Sequence, residues 1–456
     1  MQLTASFRRL LHRFRHVFTA PTFATFLYVA TGWCLSPRHR YVTELILSSG
    51  ATHRGHHSRY HRFFSHAAWS LDDLYEALAR EAIATFYPTG LICSALDDTL
   101  CRKRGLTIFG TGMHYDPLIS SRSKTLVSWG HDWVVLAILI PEPAWSPSKG
   151  WALPVGLRLY RNHQGLTKGK AKARKKPTKR KADPDHRTRP ELAVELLGWF
   201  AGLFPDRRVV VSGDSAYGGK SVLQHLPKNV DLISRVASNA ALYEPAPPRR
   251  DKQRGAPRKK GIRLPAMADW AGDESQPWET LEFDQYGLHA TLQVKTIRGL
   301  YYKAGKDRLL VIVLVRDVTG GRPDQMFYGT HLDWDARTIL DHYAARWSIE
   351  VLFFNRKQMM GFEDPANRTE LAVQRTAPVG MALYGLTLIW YHREGHRCVR
   401  YPDRPWYRDK AEPSFADILS TLRRVSWREQ FPGGDWERGD QETALAQLVE
   451  FVSRAA

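Results

Sequence analysis

Helical periodicity dominates the first part of the chain. Apolar residues recur every three or four positions in three stretches, residues 23–28, 42–47 and 71–83. A glycine-containing break at residues 48–51 separates the second stretch from a basic and aromatic segment, residues 55–64. This order is typical of a helix-turn-helix, although any pair of short helices has a similar pattern. We predict an all-helical N-terminal domain over residues 1–90, with Arg59 and Arg62 as candidate DNA contacts.

Beyond residue 90 the pattern changes to short apolar runs of the kind that form strands. The first group of candidate strands is residues 91–96, 132–140, 151–160, 208–211 and 230–236. A second group follows at residues 280–283, 289–297, 309–315 and 326–330. An amphipathic stretch with proline in its first turn, residues 190–204, predicts a helix within the first group. Strands that alternate with helices predict the α/β class.

Helical periodicity returns after the last of these strands. We predict one helix at about residues 335–359, a second over residues 368–393 and a third near residues 440–454. In the first of them, apolar residues surround a narrow polar stripe, and this pattern predicts a helix that is buried on almost every side.

The charge of the chain favours a polyanionic partner. Lys and Arg number 66 against 46 Asp and Glu, so the formal net charge is +20. Much of the excess is clustered, above all in residues 168–189. A segment of this composition cannot form a core, so we predict that it is a loop that contacts DNA phosphates. A basic surface that only aids solubility is the alternative. Because the charge is clustered, nucleic acid is the partner that we expect.

Cysteine usage and hydropathy exclude several other classes of protein. The four cysteines include no pair with C-x-x-C spacing, so neither a zinc ribbon nor a disulfide framework is predicted. The longest apolar runs, residues 134–140 and 379–391, are too short to span a bilayer. No cleavable signal peptide is indicated. We therefore expect a soluble cytoplasmic protein without a membrane partner.

Three acidic residues stand in settings where a carboxylate is costly. Asp98 and Asp214 each end a predicted apolar strand, and Glu350 lies inside the apolar helix. Buried carboxylates need a compensating cation, and a site made only of carboxylate oxygens selects hard ions such as Mg²⁺ or Mn²⁺. A single Asp after a strand usually marks a turn, so the prediction depends on all three acids together. Asp97 is the alternative to Asp98.

The polar stripe of the predicted helix adds cations to this set. Its four members, at offsets 0, 3, 7 and 14, fall within about 60° of one another at 100° per residue. They are Tyr343, Arg346, Glu350 and Lys357. A structural ion pair between Arg346 and Glu350 is one interpretation. The other assigns Glu350 to a metal ion, and Arg346 and Lys357 to phosphates of a cleaved DNA strand.

These motifs carry a family resemblance. The series Tyr343-x2-Arg346-x3-Glu350-x6-Lys357 resembles the Y-(2)-R-(3)-E-(6)-K signature of insertion-sequence DDE transposases of the IS4 type. Leu96-Asp97-Asp98-Thr99 is similar to the first-acid motif of that family, and residues 212–217 are similar to the second. Residues 36–41 and the Asp-Asp-Thr form look closest to the IS701 group. The resemblance covers roughly residues 20–395.

The resemblance implies an RNase H-like catalytic core with a β-rich insertion between the second and third acids. It implies that Asp98, Asp214 and Glu350 are catalytic and hold two Mg²⁺ ions, for which Mn²⁺ can substitute. It further implies that Tyr343, Arg346 and Lys357 bind DNA. The implied partners are the terminal inverted repeats, target DNA and a second copy of the chain, in a prokaryotic, nucleoid-associated setting.

Together these predictions divide the chain into five regions. They are the helical domain (1–90), the first part of the core (91–238), the β-rich insertion (239–332), the second part of the core (333–395) and a C-terminal helical region (396–456). The expected function is cleavage at the ends of an insertion sequence and joining of the 3′-hydroxyl ends to target DNA. Two alternatives are a domesticated, non-cleaving DNA-binding derivative and another RNase H-like nuclease, such as a resolvase or repair enzyme.

Overall fold

The computed structural model describes most of the chain. The described residues are 2–121, 123–140, 142–162, 186–249, 255–285, 288–402, 405, 408–430, 449 and 452. The basic segment at residues 168–185 and most of the helix expected near 440–454 lie outside them. No helix in the described part of the chain is both long enough and apolar enough to cross a bilayer.

Five α-helices form the N-terminal region, where the periodicity predicted helices. They are α1 (Ala5–His12), α2 (Ala20–Leu35), α3 (Val42–Ser48), α4 (Ser58–Ser65) and α5 (Leu71–Phe86). The N-cap side chains of Thr19 and Ser70 accept backbone N–H groups at the starts of α2 and α5. Such caps satisfy donors that the first helical turn leaves free. The predicted stretches at 23–28, 42–47 and 71–83 all lie in helices, as expected.

The first half of the sheet follows with two helices. Its strands are β1 (Ile92–Arg102), β2 (Gly112–Tyr115), β3 (Val127–Ile140), β4 (Trp151–Tyr160), β5 (Val209–Gly213) and β6 (Val230–Val236). The helices are α6 (Arg189–Leu203), which begins with a capping box of Thr188 and Glu191, and α7 (Lys220–Leu223). β3 pairs antiparallel with β1, β2 and β4, whereas β5 is parallel to both β1 and β6.

The predicted β-rich insertion extends this same sheet. Its elements are α8 (Met267–Gly272), β7 (Glu279–Gln285), β8 (Leu288–Leu300), α9 (Tyr302–Gly305), β9 (Leu309–Asp317) and β10 (Gln325–Gly329). β10 pairs antiparallel with β6, so the strand order is β2-β3-β1-β5-β6-β10-β9-β8-β7, with β4 also on β3. This large mixed sheet with flanking helices is consistent with the RNase H-like DDE fold that the resemblance implies.

Four helices complete the described chain and bind its two ends together. They are α10 (Ala336–Ala345), α11 (Trp347–Met359), α12 (Glu370–Arg393) and α13 (Phe415–Gln430). The N-terminal helices share one apolar core with α12 and α13. The indole N–H of Trp33 donates to the carbonyl of Met360 (3.1 Å), and the Tyr75 hydroxyl donates to the carbonyl of Pro378 (2.8 Å). These buried contacts join the N-terminal helices to the segment that carries Glu350.

Candidate active site

Two adjacent aspartates lie inside β1, where the prediction placed them at the end of a strand. The expected strand ended at residue 96, but pairing with β3 continues to Arg102. Asp97 is opposite Val135 and Asp98 is opposite Val134 in this pairing. Because successive side chains of a strand point to opposite faces, the two carboxyl groups enter different environments. The pairing, which a local pattern does not reveal, is the reason for this correction.

Asp97 faces the helix that carries Glu350. Arg346 donates one hydrogen bond to Asp97 Oδ2 (2.6 Å) and another to Glu350 Oε1 (3.0 Å). One guanidinium therefore binds two carboxylates, one from a strand and one from a helix, that are 253 positions apart in the chain. Burial raises the pKa of Asp97 to about 7; Arg346 opposes this rise, while the charges of Asp98 and Asp214 add to it.

Asp98 faces a different set of partners. The Tyr217 hydroxyl donates to Asp98 Oδ1 (2.6 Å), and Arg189 Nε lies 3.5 Å from Asp98 Oδ2. The same guanidinium binds Asp132 on β3, with Nε 2.6 Å from Oδ2. Burial raises the pKa of Asp98 to about 6, and the charge of Asp132 adds to the rise. Asp132 itself is only 2% exposed, and burial raises its pKa as well.

Asp214 immediately follows β5, as the sequence predicted. The parallel pairing of β1 and β5 places Leu96 beside Gly213. The residue after each of these two is an aspartate, so Asp97 in β1 and Asp214 just after β5 lie at the same level of the sheet. The charge of Asp214 raises the pKa values of Asp97 and Asp98, and the Ala216 N–H donates to its Oδ1 (2.9 Å).

The helix expected at residues 335–359 is two helices that meet at Arg346. Tyr343 lies on α10, whereas Glu350 and Lys357 lie on α11, so the four polar residues do not occupy one continuous helix. Tyr343 remains close to Arg346, whose guanidinium carbon is 5.7 Å from the centre of the ring. Periodicity did not reveal the break because the backbone at Arg346 keeps helical dihedral angles on both sides.

The expectation that α11 is buried on almost every side is also wrong. Three large apolar side chains on one face of the helix are exposed: Trp347 (50%), Val351 (40%) and Phe354 (59%). They recur at i, i+4 and i+7, next to the stripe that holds Glu350. The opposite face, with Ile349, Leu352 and Arg356, is buried against the core. An apolar residue in a periodic pattern marks a helix but does not show whether a neighbour covers it.

None of the remaining predicted DNA contacts forms an ion pair with the site acids in the described part of the chain. Lys357 is near the end of α11, where burial lowers its pKa and the charge of Glu363 opposes this shift. Arg59 and Arg62 are on α4; Arg59 donates to Thr25 Oγ1 (2.7 Å) and to the Pro21 carbonyl (3.1 Å) on α2. Arg62 is exposed.

Three residues of this site were missed by the sequence analysis. Asp132, Arg189 and Tyr217 surround Asp98, and each had a weak signal. Asp132 opens the apolar run at 132–140, Arg189 ends the basic segment, and Tyr217 closes the second motif. An acid at the start of an otherwise apolar run is a recognisable anomaly, but its partner on α6 is not readable from the sequence.

The described carboxylates do not form a ready-made metal site. Among the described residues, no three His, Cys, Asp or Glu side chains stand close enough together to hold an ion. Two arginines occupy the positions between carboxylates: Arg346 between Asp97 and Glu350, and Arg189 between Asp98 and Asp132. The acids thus converge in pairs on a cation, and the cation in each pair is a guanidinium.

Comparison with known proteins identifies the family of the chain. No curated protein matches the sequence. The family model of DDE superfamily endonucleases matches residues 13–302, which is more than half of the chain and includes the two β1 aspartates and Asp214. Glu350 and α11 lie beyond the matched residues and are connected to them through Arg346. The chain belongs to the DDE superfamily endonucleases.

Proposed function

We propose that the chain is a transposase, which cleaves DNA at the ends of its own insertion sequence and joins the freed 3′-hydroxyl ends to target DNA. The observation that carries this proposal is the shared guanidinium of Arg346. This guanidinium holds Asp97 of β1 and Glu350 of α11 together, and β1 runs beside β5, which Asp214 immediately follows. Carboxylates from these three elements are the donor set that phosphodiester cleavage with two metal ions requires.

The donor set fits Mg²⁺ or Mn²⁺ in its chemistry. All of the candidate ligands are carboxylate oxygens, which hard divalent ions prefer. Burial raises the pKa of Asp97, Arg346 opposes the rise, and the charges of Asp98 and Asp214 add to it, so a cation bound here would favour the ionised carboxylate. A pair of bound ions would supply an activated water or 3′-hydroxyl and would stabilise the leaving oxygen of the phosphodiester.

Either β1 aspartate can complete the set with Asp214 and Glu350. The sequence motif favours Asp98, which precedes Thr99. The direct contacts of Arg346 support Asp97, because they connect it to Glu350. We propose that Asp97 is the ligand on this face and that Asp98 holds β1 in position from the other face, through Tyr217 and Arg189.

The basic residues of the site would bind and orient the DNA strand. Arg346 is held in place by two carboxylates and has N–H groups suited to the non-bridging oxygens of a phosphate. Lys357 lies about three turns beyond Arg346, on α11, and adds a second cation for the same strand. Tyr343 packs near Arg346 at the start of this surface. Two copies of the chain would bring the two ends of the element together.

The deciding experiment uses a plasmid that carries the DNA flanking the gene, with its terminal inverted repeats. Wild-type protein with Mg²⁺ should nick this plasmid at the repeat ends and transfer the ends into a second plasmid. Asp214→Ala should bind the same DNA but lose cleavage. Asp206→Ala is the matched control, since Asp206 is an exposed aspartate on the chain just before β5, at the end opposite Asp214.

Three outcomes would contradict the proposal. Cleavage by Asp214→Ala at the wild-type rate would remove the acid from the site. Binding without any nicking by the wild-type protein would favour a domesticated derivative. Nicking without transfer of the ends would favour another RNase H-like nuclease.

A further inference from the structure

The N-terminal segment has an unusual balance of charge. Residues 1–71 contain nine arginines, no lysine and a single carboxylate, Glu44, so their side chains carry a formal charge of +8. Eight of the 18 histidines of the chain lie in the same segment. This segment is less than a sixth of the chain, yet it contributes a large part of the total charge of +20. A surface of this composition attracts anions.

A cleft in this segment collects several of these groups. It lies between the start of α2 and the exposed side of α4 and has a volume of about 370 Å³. Its polar lining consists of Thr22, Thr25, Ser58, Arg59, Arg62 and His66, and none of the lining residues is a carboxylate. Two guanidiniums, an imidazole and the hydroxyl groups of Thr22 and Ser58 can donate hydrogen bonds to an anion, while the Thr25 hydroxyl donates to the Pro21 carbonyl (3.0 Å).

Arg59 forms a fixed wall of the cleft. Its Nε donates to Thr25 Oγ1 (2.7 Å), and one of its terminal nitrogens donates to the carbonyl of Pro21 (3.1 Å). Both acceptors are neutral, so they orient the guanidinium without cancelling its charge. A positive charge that is held in place before the ligand arrives loses little side-chain entropy on binding.

Arg62 and His66 form the mouth of the cleft. They are one turn apart on the α4 side, and both are exposed. Within the described residues, neither Arg59 nor Arg62 forms an ion pair with a carboxylate. The first turn of α2, with Pro21 and Thr22, lines the opposite side and adds the positive end of a 16-residue helix dipole.

We propose that this cleft binds a phosphate group of the DNA backbone. Arg59 and the first turn of α2 line the cleft, and Arg62 and His66 contact the phosphate at its mouth, from the α4 side. The ligand is a phosphodiester of duplex DNA, which the contact positions without reading the bases. The identity of the polyanion rests on the proposed function, whereas the cleft itself does not. α4 would thus anchor the DNA backbone, and this role does not require α4 to be the recognition helix of a helix-turn-helix.

The test measures binding without cleavage. Full-length protein is titrated with a fluorescent 30-base-pair duplex of arbitrary sequence in EDTA, at several salt concentrations. Arg62→Ala combined with His66→Ala should weaken binding about tenfold at low salt and reduce the slope of log K against log salt by about 1. Arg15→Ala combined with His16→Ala is the matched control, because it removes the same two exposed groups from the same segment outside the cleft.

The controls separate this inference from the proposed function. Arg62→Lys should retain most of the affinity, because it keeps the charge, and thermal melting should confirm that every variant is folded. Equal affinity and equal salt slope for the cleft variant and its control would overturn the proposal. If the cleft variant loses binding while the wild-type protein fails to nick the flanking DNA, the cleft stands and the transposase proposal falls. If the wild-type protein nicks the flanking DNA while the cleft variant binds DNA as tightly as its control, the transposase proposal stands and the cleft proposal falls.

Discussion

The two faces of β1 hold similar groups in different surroundings. On one face Arg346 bridges Asp97 and Glu350, and on the other Arg189 bridges Asp98 and Asp132. Glu350 is 37% exposed, whereas Asp132 is 2% exposed. Each bridge is open to solvent at one carboxylate, Glu350 or Asp98 (30% exposed), but only the second ends at a deeply buried one, Asp132, between β3 and α6.

This difference in burial indicates that Arg346 is a cation that can be exchanged, whereas Arg189 is a structural one. A buried carboxylate that loses its partner has no water to replace it, so Arg189 is needed wherever Asp132 is charged. A carboxylate that is one third exposed can exchange a guanidinium for water or for another cation. On the face with Glu350 neither carboxylate is as deeply buried as Asp132, so we expect a metal ion and DNA to take the place of internal contacts more readily there.

The largest expected effect compares the two β1 aspartates. Asp97→Asn should reduce DNA cleavage on the order of 10³-fold, since a lost metal ligand removes several kcal/mol of transition-state stabilisation. Asp98→Asn should reduce it by about tenfold, because it alters only the hydrogen bonds that position β1. The measurement is the single-turnover nicking rate of the flanking-DNA plasmid at saturating Mg²⁺. The opposite order would assign the metal to Asp98.

The next comparison removes each bridging arginine in turn. Arg189→Met should lower the free energy of unfolding by about 3 kcal/mol, since it leaves Asp132 buried without its guanidinium partner. Arg346→Met should lower it by about 2 kcal/mol, because water can reach Glu350 but the less exposed Asp97 also loses its cation. Methionine keeps much of the apolar stem in both variants. Urea unfolding at pH 8 in EDTA measures the two values, and equal losses would contradict the distinction between the two faces.

The last comparison concerns pH. The pKa of Asp97 is raised to about 7 in the folded protein and is near 3.9 in the unfolded chain. Between these values the folded state keeps a proton that the unfolded state has released, so this group contributes stability below about pH 4 that is lost as the pH rises through about 7. Asp97→Asn should therefore become progressively more stable than the wild-type protein from pH 4 to pH 7 in EDTA.

Asp98 provides the comparison for that measurement. Its pKa is raised to about 6, so the advantage of Asp98→Asn over the wild-type protein should stop growing about one pH unit earlier. Unfolding curves at pH 4, 5, 6, 7 and 8 measure both differences. A difference between Asp97→Asn and wild-type protein that does not change with pH would show that Asp97 is not buried as described.

Local patterns predicted many of the elements closely. The strands at 151–160 and 230–236 have the predicted bounds, and α6 begins within one residue of its expected start. β-rich segments after residue 279 were also found where expected. These elements are readable because alternation, helical periodicity and a capping proline are properties of neighbouring residues.

Other features depended on contacts that the chain makes at long range. β1 extends through Asp97 and Asp98 because β3 supplies a partner for each residue from Ser94 to Arg102, although aspartate is uncommon in strands. The exposure of Trp347 and Phe354 follows from the absence of a neighbour over that face of α11 in the described part of the chain. Neither feature has a signal in the residues beside it.

The sequence by itself determined the chemistry: which acids and cations exist, and that Glu350 and Lys357 lie on one helix, which begins just after Arg346. Only the tertiary structure decided which carboxylates meet, because that depends on the pairing of β1 with β3 and β5 and on where α11 packs. Asp97 and Asp98 are neighbours in the chain with the same side chain. The alternation of the strand sends one to Arg346 and the other to Arg189, and this geometry gives them different roles.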